Sequence, residues 1–231
     1  MTGLKAADIF LAAFKNCVEN IIKALPPNAS PSDTITANAI RIIGTQLNGD
    51  FMRLQYVIEV VQARICEDPA WASGTAVTVY ELLAASIDPN FSHPSIEMSA
   101  IKGAILVRDQ MVRAGQMQFQ HTMTAEAGWN RGLVAFLGQQ CTVGSITSTT
   151  PRIALHFLDC MLTSGSLENN SDNFDVFLGF VMCAGPFLDS FAGFKEQLTV
   201  RMQKLQECAK ALRTTHWLAV YGLLQLREKG W

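Results

Sequence analysis

Apolar residues return every three or four positions along nearly the whole chain, while strict alternation of apolar and polar residues is essentially absent. A sheet therefore has nothing to build on, and amphipathic helices must bury their stripes against one another. Residues 4–25 show the pattern most fully: Ile9, Phe10, Ala13, Phe14, Cys17, Val18, Ile21, Ile22 and Leu25 form two adjacent rows on one helix face. Pro26-Pro27-Asn28-Ala29-Ser30-Pro31 stops that helix, and Ser32 or Asp33 can cap a second running to about Leu47. Asn48-Gly49-Asp50 breaks it before a third helix over 51–66, and Pro69 sits in the first turn of a fourth running through Ala85.

After a loop over 88–94, the spacing predicts helices over 96–119, 129–141, 151–162 and 174–183, with residues 120–128 forming a helix end and connection. Gly185-Pro186 predicts a turn, since Gly tolerates positive φ and Pro cannot continue a helix. Phe194, Leu198, Met202 and Leu205 then mark one helix. A break at Arg213-Thr214-Thr215 precedes the last, which carries Leu218, Val220, Tyr221, Leu224 and Leu226 and closes at Gly230-Trp231. About ten helices joined by short turns make the chain all-α, and successive antiparallel pairs burying their stripes against neighbouring pairs give an α-solenoid.

At 231 residues the chain is long enough for one large domain or two small ones. Hydrophobic residues at 49% with 16% charged predict a compact, well-buried protein rather than a disordered one. A net charge of −2 gives no whole-domain pull toward phosphate backbones and disfavours strong autonomous nucleic-acid binding. Cys17, Cys66, Cys141, Cys160, Cys183 and Cys208 are dispersed, mostly among apolar residues, and make no Cys-x-x-Cys pair, which reads as buried free thiols. Lys5, Asp8 and Lys15 interrupt the first apolar stretch, so neither a signal peptide nor a membrane span is expected, and the expected compartment is the cytoplasm.

His93, His121, His156 and His216 lie far apart without metal-ligand spacing, and no zinc site is expected. His156, within an apolar run, reads as a hydrogen-bonded core or groove histidine. Phosphate-binding and dinucleotide-binding glycine loops are missing, and Ser164-Gly165-Ser166 is a loop fragment rather than a nucleophile elbow. No catalytic residue, metal or cofactor is therefore expected, although dispersed triad partners leave a helical enzyme open as an alternative. Phe10, Phe14, Phe136, Phe157 and Phe180 fall at core spacing. Trp71, Trp129 and Trp231 read as seals between helices, with Trp217 the exception that can anchor a partner.

Four segments carry a family resemblance. Residues 181–231 end in Leu226-Arg227-x-x-x-Trp231 and resemble the end of the middle domain of translation initiation factor 4G. The order of an apolar helix, Glu67-Asp68-Pro69 and Trp71 resembles another segment of that domain. Residues 131–140 are similar to a third through Gly132, Phe136, Leu137 and Gly138, and residues 21–35 resemble the helix end and loop that meet a partner helicase. The resemblance spans 21–231 and implies a single middle domain over 1–231, built from about five HEAT-type helix pairs.

It further implies a scaffold that binds a DEAD-box RNA helicase of the initiation factor 4A type and promotes its ATPase cycle in cap-dependent translation initiation. Other translation factors would be reached through regions outside this chain. The helicase-binding positions it implies are Ile22, Leu25 and Ile35, with Asn48, Asp50, Arg53, Glu67 and Asp68 as a polar rim. Leu226, Arg227 and Trp231 would serve at the far end. Where the family is Arg-rich ahead of its last helix, this chain has Thr215, Trp217, Tyr221 and Gly222, which weakens any implied contact with mRNA. A related middle domain of an mRNA decay, splicing or cap-binding scaffold is the alternative within the same family.

Overall fold

The computed structural model describes residues 6–123, 128–141, 150–163, 167, 171–211 and 214–231. The Ser164-Gly165-Ser166 fragment, Arg213 and residues 124–127 of the expected connection lie outside that set. Among the described residues there are eleven α-helices, and the only β pairing is an isolated bridge between Ser92 and Lys102. The chain is all-α. It divides into two compact units, Met1–Gln118 and Phe119–Trp231.

The first unit holds α1 (Ala6–Ala24), α2 (Thr34–Leu47), α3 (Phe51–Glu67), α4 (Pro69–Gly74), α5 (Ala76–Ser86) and most of α6 (Gly103–Met123). Asp33 caps α2 by accepting from the Ile35 and Thr36 backbone N–H groups, and Asp50 caps α3 through Met52 and Arg53. Between them Asn48 ends α2 in the left-handed region at φ 49°, where a short polar side chain is tolerated. Ile40, Ile43 and Leu47 on α2, and Leu54, Val57, Val61 and Ile65 on α3, are buried at the three-and-four spacing seen in the sequence. With Phe14, Val18 and Ile22 of α1 they make the core of this unit.

Two elements differ from expectation here. The fourth helix is two, α4 and α5, broken at Thr75. Its hydroxyl donates to the Pro26 carbonyl at 2.6 Å and accepts from the Ala29 N–H at 3.0 Å, so the α1–α2 loop is laid against the break. Gly74 lets that loop in: a Cβ there would sit 2.1 Å from the Pro27 carbonyl oxygen. The helix expected from residue 96 starts only at Gly103; a 3-10 turn, Ile96–Met98, precedes it. Gly103 N–H donates to the Phe91 carbonyl at 2.8 Å, with φ 53°, a conformation that closes the 91–103 loop and cannot belong to a continuous right-handed helix.

The second unit contains α7 (Arg131–Gln140), α8 (Thr150–Thr163), α9 (Ser171–Asp189), α10 (Ala192–Ala211) and α11 (Thr214–Glu228). The central helix is α9, which touches α7, α8, α10 and α11. Phe174, Phe177, Phe180, Val181, Ala184 and Leu188 form its buried face, and Phe157 of α8 stands between Phe119 at 4.4 Å and Phe180 at 6.2 Å. Buried Asn173 accepts from the Trp129 N–H at 2.9 Å and so fixes the entry to α7.

Gly185-Pro186 is no turn: α9 runs through both to Asp189. Pro186 removes one helical N–H, whose acceptor would be the Met182 carbonyl. Met182 and Pro186 lie on the exposed face of α9, and the helix ends three residues after the proline. Two further expectations change: Phe10 is 69% exposed instead of core, and His156 is exposed instead of packed in a core or groove.

Candidate functional site

The implied helicase-binding trio separates. Ile22 and Leu25 are 1% and 6% exposed, with their side chains inside the first unit's core, so in this conformation they offer nothing to a partner. Ile35, one residue into α2, is 79% exposed. The cause is helical phase: residues 18, 22 and 25 continue the α1 stripe that meets α2 and α3, whereas Ile35 lies off the α2 stripe of Ile40, Ile43 and Leu47. The same offset turns Ile42, seven residues and two turns further along α2, to solvent at 46%. Met52, just past the α2–α3 turn, is 71% exposed. Neither was singled out from the sequence, although both fall outside the buried periodicity of their helices.

The polar positions near this edge are mostly committed to the fold. Arg53 donates to the Gln46 carbonyl at 2.7 Å, lies 3.5 Å from Asp50, and stacks its guanidinium 5.1 Å from the Phe14 ring centroid. Asp68 caps α4 through the Trp71 N–H and pairs with Arg64 at 2.9 Å. Asp50 and Asn48 are exposed but hold the α2–α3 turn, and Glu67 is exposed.

At the end of the second unit, Arg227 and Trp231 meet on Asp189. The Arg227 Nε and Nη2 atoms each donate to the Asp189 carboxylate at 2.8 Å, a bidentate pair with both side chains 13% exposed. Nη2 also reaches the Lys195 carbonyl at 3.1 Å and the Thr199 hydroxyl at 2.9 Å. The Trp231 indole N–H donates to Asp189 Oδ2 at 2.8 Å, and its ring lies on Gly185, where a Cβ would come within 2.3 Å. Burial alone would push the Asp189 carboxyl up, but hydrogen bonds from Arg227 and Trp231, with the charges of Arg227 and Lys195, hold it below the ordinary 3.8. The terminal Leu-Arg-x-x-x-Trp is thus a lock tying α11 to α9 and α10. Leu226 beside it is 37% exposed.

The outward face of α11 is apolar. Trp217, Leu218 and Tyr221 are 39%, 56% and 48% exposed, and the Trp217 and Tyr221 rings stack at 5.6 Å with 10° between their planes. Trp71 and Trp129 are buried. Among the described residues no three His, Cys, Asp or Glu side chains gather as a metal site would require, and no helix is long and apolar enough to cross a membrane. The described cysteines are all free, and desolvation raises the thiol pKa of Cys141 to about 12. Compared with known proteins, the chain matches no family model and no curated protein.

Proposed function

We propose that this chain is a non-catalytic scaffold domain that binds a DEAD-box RNA helicase of the initiation factor 4A type and promotes its ATPase cycle in cap-dependent translation initiation. The observation that carries this reading is the exposure of Ile35 and Ile42, two turns apart on α2, at 79% and 46%, and of Met52 beside the polar turn of Asn48 and Asp50, at 71%. Large apolar side chains left uncovered along α2 and at the start of α3, next to polar residues, have the composition of a protein-docking surface. This edge flanks the 21–35 segment whose sequence resembles the helicase-binding part of the initiation factor 4G middle domain.

A solenoid of HEAT-type pairs is the arrangement this function calls for. Its first repeats hold one helicase lobe and its last touches the other, which raises the population of a half-open helicase ready to close on ATP and RNA. The test is a pull-down and an ATPase assay with purified helicase and the double variant Ile35→Asp, Met52→Asp. Loss of binding and of ATPase stimulation, with helical circular dichroism retained, is expected. Unchanged binding by the folded variant refutes the docking edge.

A second reading, the middle domain of an mRNA decay, splicing or cap-binding scaffold, is favoured by the stacked Trp217–Tyr221 pair standing where the family is Arg-rich. A panel of helicases from those processes in the same pull-down separates the two.

A further inference from the structure

Val220 and Leu223 are buried where α11 meets α9 and α10. On its other side Trp217, Leu218 and Tyr221 are 39%, 56% and 48% exposed, and exposed Thr214, Gly222 and Gln225 complete a stripe at spacings of three and four. No Asp, Glu, Lys or Arg stands between Thr214 and Leu226, so the face carries no fixed charge. At about 200 Å² for a whole large side chain, the three apolar residues leave roughly 300 Å² uncovered. A patch of that size marks an interaction site.

The order of residues along the stripe selects what covers it. When a patch meets itself about a two-fold axis, residues equally far from the centre must suit one another. An antiparallel pairing of two copies of α11, centred between Ala219 and Val220, sets Leu218 against Tyr221 and Thr214 against Gln225, both ways round. Apolar then meets apolar at the centre, and polar meets polar at the ends. Gly222, one turn from Leu218, has open space where a Cβ would stand, which lets the second helix come close. Glu228 is exposed in the last turn, at the unfavourable negative end of its own helix dipole. The same pairing brings it level with the start of the other α11, where a carboxylate is favoured.

We propose that α11 docks on α11 of a second copy of this chain, antiparallel about a two-fold axis. Two such faces bury about 600 Å² of apolar surface and, with the polar ends, roughly 1,000 Å² in all, the low end for a specific interface. The dimer is therefore weak, with a Kd on the order of 10–100 μM. This pairing is independent of helicase docking, which uses the residues around Ile35.

Sedimentation equilibrium of the full 231-residue chain, taken up to about 500 μM, should show monomer and dimer in exchange. Leu218→Asp, at an exposed position, should keep its helical circular dichroism and remain monomeric. Thr214→Lys with Gln225→Glu in one chain tests the direction of pairing, since the two positions lie about 16 Å apart along the helix and cannot pair within a copy. Between antiparallel copies the two new ion pairs should tighten the dimer about threefold, whereas parallel copies would set like charges together and weaken it. The proposal is overturned by a chain that is monomeric throughout, by a folded Leu218→Asp variant that still dimerises, or by a weaker dimer in the charge-pair variant. A monomeric chain whose Leu218→Asp form loses helicase in the pull-down overturns it too, and gives the face to that partner.

Discussion

Asp189→Asn isolates the electrostatic part of the terminal lock, because it keeps the side chain's size and removes its charge. Arg227 then becomes a guanidinium that is 13% exposed and lacks its carboxylate. Breaking one partner of a buried ion pair typically costs about 3–5 kcal/mol. Here the Thr199 hydroxyl and the Lys195 carbonyl still accept from Nη2, and some solvent reaches the pair, so the expected loss is about 2–3 kcal/mol. Urea unfolding followed by tryptophan fluorescence measures it, and the emission should also shift to the red, because one amide oxygen cannot serve Arg227 and the Trp231 indole as the two carboxylate oxygens do, and the ring loosens. Arg227→Met added to Asp189→Asn should recover much of the loss, because no buried cation remains.

Acid gives a second readout of the same contact. The folded carboxyl lies below its unfolded value, so its contribution is present above pH 3.8 and is lost as pH falls through the lower folded value; Asp189→Asn should lack that limb of the profile. Gly185→Ala undocks the indole without touching charge and should reproduce the red shift. The reasoning fails if Asp189→Asn costs less than about 0.5 kcal/mol, within the range of an ordinary surface change, or if the two substitutions prove additive.

Thr75→Val removes the hydroxyl that joins the Pro26 carbonyl to the Ala29 N–H and should destabilise the first unit by about 2 kcal/mol, read by urea unfolding. Hydrogen exchange should quicken at the Ala29 amide. Ile22→Ala should cost about 2–5 kcal/mol as a cavity mutation, whereas Ile35→Ala should stay within about 0.5 kcal/mol. Thermal melts of the two variants compare them directly, and equal losses would show that the burial assignment is wrong.

Much of the helical framework could be read in advance. The buried stripes of α2 and α3, the Asp33 cap and the Asn48-Gly49-Asp50 break all depend on residues within a few positions of one another. The misreadings share a different origin. Gly185-Pro186 has the local signature of a turn, yet the glycine serves a tryptophan 46 positions later, since 231 − 185 = 46. Likewise the break at Thr75 exists for a loop met more than forty residues earlier. Neither partner is visible in a local window.

The candidate docking residues follow the same division. Ile22, Leu25 and Ile35 are chemically alike, and periodicity places all three on helices or at a helix end, but exposure separates them into two core residues and one surface residue. Arg227 and Asp189 are 38 positions apart, so nothing in their spacing marks them as a pair. Helix type, phase and caps were determined by the amino-acid order itself, because hydrogen bonds four residues apart and one-turn capping contacts are local. Which apolar faces stayed uncovered, and which charges met, was decided only when the helices packed, because burial and ion pairing depend on neighbours that the chain brings from a distance.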